Sequence, residues 1–204
     1  MTLDQYREAA DRALRPAVSA AVAVGLTPNG ISVAALGTAV AAGVAYWFAD
    51  SGSLLYLAGA LLVFLNGVLD VLDGMVARRT GTDSAAGDLL DHVLDRYADI
   101  VIVVGLAGGT GRFALGLAAV TGVLMTSYLG TQAQAVGLNR VYGGLVGRAD
   151  RLAIVGIVTG VAAFATPSVA NLSLVGLLLV VFAVVGHLTA IQRFYHSTVA
   201  LNEA

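Results

Sequence analysis

Four aspartates stand at helical intervals within stretches that are otherwise apolar enough to cross a bilayer. Asp70 and Asp73 are three residues apart, and Asp91 and Asp95 are four apart. Residues three or four apart lie on one face of a helix, so each pair forms an acidic stripe. A charge at the centre of a membrane helix costs about 2.5–3.5 kcal/mol on insertion scales. The four carboxylates therefore need compensating charge, and divalent cations or a charged substrate are the obvious candidates.

Small residues and one arginine accompany these acids. Gly74 and Ala77 continue the first stripe, and Gly87 begins the second, so a flat group such as a nucleotide base or sugar can lie against bare backbone. Arg78 follows directly, and a guanidinium binds phosphate through paired hydrogen bonds. Carboxylate oxygens suit Mg²⁺ or Mn²⁺. Pairs of such ions recur in displacement at phosphorus, so the pattern predicts metal-dependent chemistry on a phosphate ester.

The composition indicates which kind of protein must position these residues. Of 204 residues 58% are hydrophobic, the mean hydropathy is +0.85, and soluble domains contain about 45–50% apolar residues. We therefore predict an all-α integral membrane protein whose residues 1–204 form a single membrane domain. The absence of cysteine excludes disulfides and zinc–thiolate sites. No basic run indicates a nucleic-acid partner.

Apolar stretches and helix-start signals predict the membrane topology. Residues 2–22 place apolar side chains at spacings of three and four with charges opposite, which is typical of an amphipathic helix that lies on the membrane surface or packs on the rest of the protein. A bilayer crossing needs about 20 residues, and Thr27 and Pro28 form a helix start before the first crossing. We predict six transmembrane helices, with the fifth short and extended at one end, at residues 30–48, 54–76, 86–106, 113–131, 152–165 and 172–191.

Arginine placement predicts the orientation in the cell membrane. All basic residues other than histidine are arginines, and with a cytoplasmic amino terminus nine of them fall on or at the edge of the cytoplasmic side. Arg112 alone falls outside, and Arg96 lies within the third predicted span. This asymmetry follows the positive-inside rule. The acidic stripes, and with them the active site, are then expected near the cytoplasmic face.

The spacing of the acidic region resembles a family signature. The pattern D-x2-D-G-x2-A-R-x8-G-x3-D-x3-D of the CDP-alcohol phosphotransferases (CDP-alcohol phosphatidyltransferases) is matched at every fixed position between Asp70 and Asp95. The resemblance implies a phospholipid-synthesising transferase that acts on a CDP-linked lipid. An acceptor hydroxyl would attack the phosphorus that carries the lipid alcohol, diacylglycerol or archaeol, and CMP would leave. The family also implies a homodimer.

The same resemblance implies roles for individual residues. Asp95 would act as the catalytic base as well as a metal ligand, and two Mg²⁺ or Mn²⁺ ions would be bound. The implied metal ligands are the acids of the motif: Asp70, Asp73, Asp91 and Asp95. The implied CDP-binding residues are Gly74, Ala77, Arg78, Gly87 and, from a looser match at the start of the first span, Asn29.

Arginines near the fifth and sixth spans are candidates for the acceptor site. Arg148, Arg151 and Arg193 can bind the phosphate of a phosphorylated acceptor, or they can serve only as positive-inside anchors. Residues 147–151 loosely resemble family members that use inositol phosphate, whereas residues 132–134 (Gln-Ala-Gln) stand where those members would carry a basic residue. A phosphorylated polyol, glycerol 3-phosphate or inositol phosphate, is therefore predicted, and serine stays open.

Two other classes of function compete with this interpretation. An intramembrane prenyltransferase also holds pyrophosphate through Mg²⁺ on acidic helices, but its acidic motifs lie on well-separated helices of a longer chain. An ion-coupled transporter would need an inverted repeat or broken helices at mid-membrane, which the sequence does not indicate. Release of CMP separates the leading interpretation from both. The residues that superficially suit a prenyltransferase are Asn66, Asp70, Asp91 and Asp95.

Overall fold

A computed structural model of the chain describes residues 7–138, 147–165 and 167–203. Within these ranges the protein is helical apart from one small hairpin, which confirms the all-α prediction. The hairpin pairs β1 (Ser168–Val169) antiparallel with β2 (Leu172–Ser173), and a short 3₁₀ turn covers Ala49–Ser51. The helices are α1 (Arg7–Ala23), α2 (Pro28–Trp47), α3 (Leu54–Thr80), α4 (Ala85–Thr110), α5 (Phe113–Ala135), α6 (Arg148–Ala162) and α7 (Leu174–Asn202).

Local signals in the sequence fix the helix ends that frame the acidic region. Thr27 Oγ1 accepts a hydrogen bond from the Gly30 amide at 3.2 Å, which is the predicted start of α2. Gly81 ends α3 with a left-handed φ of 64°, a conformation that costs glycine little. Ser84 Oγ then accepts from the Gly87 amide at 3.1 Å and starts α4. The connection between α3 and α4 is therefore short, and the two helices form a hairpin.

Several helices differ in length from the predicted spans. α6 begins at Arg148, four residues before the predicted residue 152, and it ends at Ala162. α7 begins after β2, so residues 172–173 are not helical as predicted, and it continues to Asn202 rather than 191. The predicted bounds followed the edge of the apolar stretch, whereas a helix continues through polar residues until a capping residue stops it.

Four of the described helices, α2, α3, α5 and α7, are long and apolar enough to cross a membrane. α6 is short at 15 residues, and α4 carries Asp91, Asp95, Arg96 and Asp99 along its length. The apolar helices and the composition both indicate a membrane protein.

Close helix packing holds the bundle together around the acidic hairpin. α2 packs against both α3 and α4, α5 packs against α7, and α6 lies on α3. A Cβ on Gly105 of α4 would meet the Gly43 carbonyl oxygen of α2, so the two backbones touch there. Tyr46 is fully buried, with its hydroxyl 3.0 Å from Thr159 Oγ1 of α6. α1 packs on α3 at one end of the bundle.

Candidate metal and substrate site

Three of the four motif aspartates come together where α3 and α4 face each other. Asp70, Asp91 and Asp95 each offer one carboxylate oxygen, and these oxygens lie within 4.8 Å of one another. All three side chains are half-buried. The helical spacing and the short hairpin account for this meeting, as the sequence predicts. We call these three residues the carboxylate triad.

Asp73 lies one helical turn from Asp70 but is turned toward α2. Its Oδ2 accepts a 2.6 Å hydrogen bond from Ser32 Oγ, and both residues are buried. The sequence motif does not include Ser32. Its position four residues after Pro28, on the helix whose start was predicted, is the only feature of the sequence that could have placed Ser32 near the site.

Arg148 reaches from the first residue of α6 onto the carboxylate triad. Its Nη1 lies 2.7 Å from Asp70 Oδ2 and its Nη2 lies 2.7 Å from Asp95 Oδ1. One guanidinium therefore bridges carboxylates of α3 and α4. The sequence placed Arg148 at an acceptor-phosphate site, and the structure places it beside the predicted catalytic base.

The other two predicted acceptor arginines lie in different surroundings. Arg151 is buried, and its Nη2 donates to Asp99 Oδ2 at 2.9 Å. Arg193 Nη1 donates to the Thr126 carbonyl oxygen of α5 at 2.7 Å. The structure thus brings Arg148 to the triad, seats Arg151 on Asp99 and joins Arg193 to α5.

The predicted CDP-binding residues lie at the same end of the bundle as the hairpin loop. A Cβ on Gly74 would lie 3.3 Å from Arg78 Nη1, so the Arg78 side chain folds back along the glycine face. A Cβ on Gly87 would lie 3.6 Å from Asn29 Oδ1, which brings the start of α2 beside the start of α4. Ala77 is half-buried on the stripe of Gly74.

The donor chemistry fits a hard divalent cation. All the grouped ligand atoms are carboxylate oxygens, which Mg²⁺ and Mn²⁺ prefer over softer metals. Three carboxylates so close together repel one another unless positive charge lies among them. Arg148 supplies one such charge, and a divalent cation bound by the triad would supply more.

An apolar helical bundle with a carboxylate site at one end defines a membrane-embedded protein with a place for hard divalent cations. Residues 25–191 match the family model for CDP-alcohol phosphatidyltransferase. The chain belongs to this family, and the resemblance stated from the motif is confirmed.

Known relatives of the same family match this chain over nearly its whole length. Archaetidylinositol phosphate synthase of Methanothermobacter thermautotrophicus is 33% identical over 204 residues, which cover 95% of this chain and 93% of that relative. Solved structures of phosphatidylinositol phosphate synthase from Mycobacterium tuberculosis share the fold. The structure with CDP-DAG bound gives a TM-score of 0.75 at 28% identity, over 89% of this chain and 92% of that one. The structure in complex with manganese and citrate gives a TM-score of 0.77 at 26% identity, over 89% of this chain and 87% of that one.

The family membership decides the class of reaction. The chain is a phospholipid-synthesising transferase that moves a substituted phosphate group from a CDP-linked lipid to an alcohol acceptor, with release of CMP. The prenyltransferase and transporter alternatives are therefore wrong. The manganese complex of the solved relative and the carboxylate triad of this chain agree on the use of a divalent metal.

Proposed function

We propose that the acceptor is an inositol phosphate and that the product is a lipid-linked inositol phosphate. The observation that carries this proposal is the position of Arg148, whose guanidinium lies 2.7 Å from Asp95 Oδ1. An acceptor held by its phosphate at Arg148 would bring a ring hydroxyl close to Asp95. The name of the relative from Methanothermobacter thermautotrophicus supports the same acceptor class. Glycerol 3-phosphate and serine rank below it.

The absence of a basic residue at 132–134 has a consequence for this proposal. If the acceptor phosphate is not held from the end of α5, it must be held by other arginines. Arg148 is the one of the three candidates that already lies on the carboxylate triad. Arg193 contacts the α5 backbone beside Thr126 and can supply a second contact from α7. Arg151 would support this acceptor set from behind Arg148, because its guanidinium donates to Asp99 at 2.9 Å.

The proposed metal site uses all four motif aspartates and two ions. Asp70, Asp91 and Asp95 converge already, and Asp73 would join them from the Ser32 side. Bound Mg²⁺ or Mn²⁺ would neutralise the pyrophosphate and stabilise the CMP leaving group. Asp95 would accept the proton of the acceptor hydroxyl.

The nucleotide would lie across the start of α2 and the hairpin of α3 and α4. Arg78 would grip the phosphates, because its side chain is exposed and lies along the glycine face. The bare backbone of the small residues would accept the flat cytidine. The residues proposed to contact CDP are Asn29, Gly74, Ala77, Arg78 and Gly87.

We also propose the membrane arrangement that this chemistry needs. All six helices α2 to α7 would cross the cell membrane as one domain, including α4 with its acids and the short α6. α1 would lie on the cytoplasmic surface, so the carboxylate triad would face the cytoplasm, where CDP-linked lipid meets a water-soluble acceptor. A homodimer is proposed by analogy with the family.

The acceptor is tested by CMP release from the purified protein. The assay supplies CDP-diacylglycerol or CDP-archaeol with Mn²⁺ or Mg²⁺ and one acceptor at a time: inositol phosphate, glycerol 3-phosphate or serine. We expect release with inositol phosphate, and a product with the mass of a lipid-linked inositol phosphate. Faster release with glycerol 3-phosphate or serine would overturn the proposed acceptor while leaving the family activity intact.

A further inference from the structure

Asp99 is a buried acid that the family motif does not include. It follows Asp95 by four residues on α4, so it continues the acidic stripe one turn deeper into the bundle. Only 5% of its surface is exposed. Ionisable residues buried at membrane depth are rare and are normally paired, so its partners indicate its role.

Among the residues that the structure describes, three arginines surround Asp99. Arg151 Nη2 donates to Asp99 Oδ2 at 2.9 Å, and Arg151 itself is only 7% exposed. Arg96 Nη1 and Arg148 Nε both lie at 3.9 Å from the Asp99 carboxylate. Asp99 is therefore the centre of a buried cluster in which one negative charge faces three guanidinium groups.

The cluster lies directly behind the carboxylate triad. Arg96 stands between the two acids, with Nη2 3.5 Å from Asp95 Oδ2 and Nη1 3.9 Å from Asp99 Oδ2. Arg151 follows Arg148 on α6 as Asp99 follows Asp95 on α4, so two arginine–aspartate contacts are stacked. If Asp99 lost its charge, the next carboxylate along α4 for the Arg151 guanidinium would be Asp95.

A buried charge that loses its partner is strongly destabilised, so it moves toward whatever opposite charge it can reach. Arg148 and Arg96 already contact Asp95, and a third guanidinium there would occupy oxygens that a cation needs. It would also add positive charge beside the triad and weaken the attraction for a divalent ion.

We propose that Asp99 is a positioning residue that keeps Arg151 off the carboxylate triad and so leaves the oxygens of the triad available to divalent cations. The proposal rests on the proposed function, because it takes Asp70, Asp91 and Asp95 as metal ligands. Asp99 itself touches neither the ion nor the substrate in this account.

The proposal predicts that replacing Asp99 and replacing Arg151, the two ends of one ion pair, affect Mn²⁺ affinity differently. In Asp99→Asn the released guanidinium of Arg151 competes with the ion, so Mn²⁺ affinity falls at least about 10-fold, the lower range for loss of an outer partner. In Arg151→Met the acid keeps Arg96 and Arg148, so Mn²⁺ affinity stays within about threefold of wild type. In the double variant Asp99→Asn/Arg151→Met the released guanidinium of Arg151 is removed, and the Mn²⁺ affinity recovers relative to Asp99→Asn.

The measurement is calorimetric titration of Mn²⁺ into the detergent-purified full chain, with size-exclusion profiles as the check on folding. Equal losses in Asp99→Asn and Arg151→Met would overturn the proposal, because a purely structural ion pair fails equally from either end. Unchanged affinity in Asp99→Asn would also overturn it. If Asp99→Asn does not fold, Arg151→Met decides: retained affinity supports the proposal and a 10-fold loss, of the size expected for an outer partner, overturns it.

Asp91→Asn in the same titration separates this proposal from the proposed function. If Asp91→Asn binds Mn²⁺ as wild type does, the metal site itself is misplaced. If Asp91→Asn loses binding while Asp99→Asn keeps it, only the role of Asp99 fails.

Discussion

Arg148 joins the two halves of the site through a single side chain. It donates to Asp70 of α3 and Asp95 of α4 at the same distance, 2.7 Å. A planar guanidinium can bridge two carboxylates in this way, whereas a lysine ammonium acts as a point charge. The residue that is proposed to bind the acceptor phosphate therefore also holds two proposed metal ligands in place.

Ser32 gives a residue-scale prediction about Asp73. Ser32→Ala removes the 2.6 Å hydrogen bond that orients the Asp73 carboxylate, and loss of an outer partner of a ligand costs about 10–100-fold in metal affinity. We expect the Mn²⁺ concentration for half-maximal CMP release to rise by that order.

The matched control for Ser32 is Thr38→Ala on the same helix. Thr38 Oγ1 bonds only to the Ala35 carbonyl oxygen among the contacts described, so its loss should leave the Mn²⁺ dependence unchanged. An equal response to Mn²⁺ in Ser32→Ala and wild type would show that Asp73 does not need this bond.

At the scale of elements, the crossing of α2 and α4 sets the distance between the start of α2 and the acidic helix. Gly105→Ala adds a methyl group where α4 touches the Gly43 backbone, and backbone cannot move aside as a flexible side chain can. Overpacking of this kind costs about 1–3 kcal/mol. We expect a lower apparent midpoint of thermal unfolding in detergent.

Gly37→Ala on α2 is the control for this crossing, since no atom of the described residues lies within 4 Å of a Cβ there. Replacing this helical glycine should leave the midpoint unchanged or raise it, because alanine favours the helix by about 0.5–1 kcal/mol. A midpoint for Gly105→Ala equal to that of Gly37→Ala would contradict the close crossing.

Elements set by local sequence were predictable, and contacts between distant elements were not. The stripes on α3 and α4 follow from helical spacing, and the short loop makes their meeting a local event, so Asp70, Asp91 and Asp95 were foreseen together. The partners of Asp99 on α6 and of Asp73 on α2 lie 52 and 41 residues away. Side-chain pairing over such separations depends on how the bundle packs, which periodicity does not specify.

The start of α6 shows why element bounds matter for the site. The span was predicted from residue 152 because apolar residues begin there, whereas the helix begins at Arg148. Asp150 accepts from the Gly147 amide at 2.9 Å and so caps the helix four residues earlier. This extra turn carries Arg148 and Arg151 in helical register toward α4.

Arg140, one of the arginines from which the membrane orientation was predicted, lies outside the described residues.

At the scale of the whole molecule, the proposed topology can be tested because the chain contains no cysteine. Single variants Ser51→Cys, Thr82→Cys and Arg112→Cys are treated with a membrane-impermeant maleimide in intact cells. All three positions are exposed in the structure. We expect Ser51→Cys and Arg112→Cys to react at once, and Thr82→Cys only after permeabilisation.

These three positions report on separate parts of the topology. Reaction of Thr82→Cys in intact cells would place the acidic hairpin on the outer side and contradict the cytoplasmic active site. Failure of Arg112→Cys to react, with Ser51→Cys reacting, would show that α4 does not cross the membrane. The wild-type chain, which contains no cysteine, is the negative control for maleimide labelling before and after permeabilisation.

If the acids of α3 and α4 hold the divalent cations on which CMP release depends, removing either the ions or one of the acids must stop the reaction. The most direct measurement is CMP release from CDP-linked lipid as Mn²⁺ is titrated, for wild type, Asp91→Asn and the control Asp88→Asn, an exposed acid three residues earlier on α4. We predict no release in excess EDTA, a loss of at least about 100-fold in Asp91→Asn, beyond that of an outer partner, and wild-type behaviour in Asp88→Asn. Release that persists in EDTA, or an Asp91→Asn titration that overlays wild type, would contradict the account.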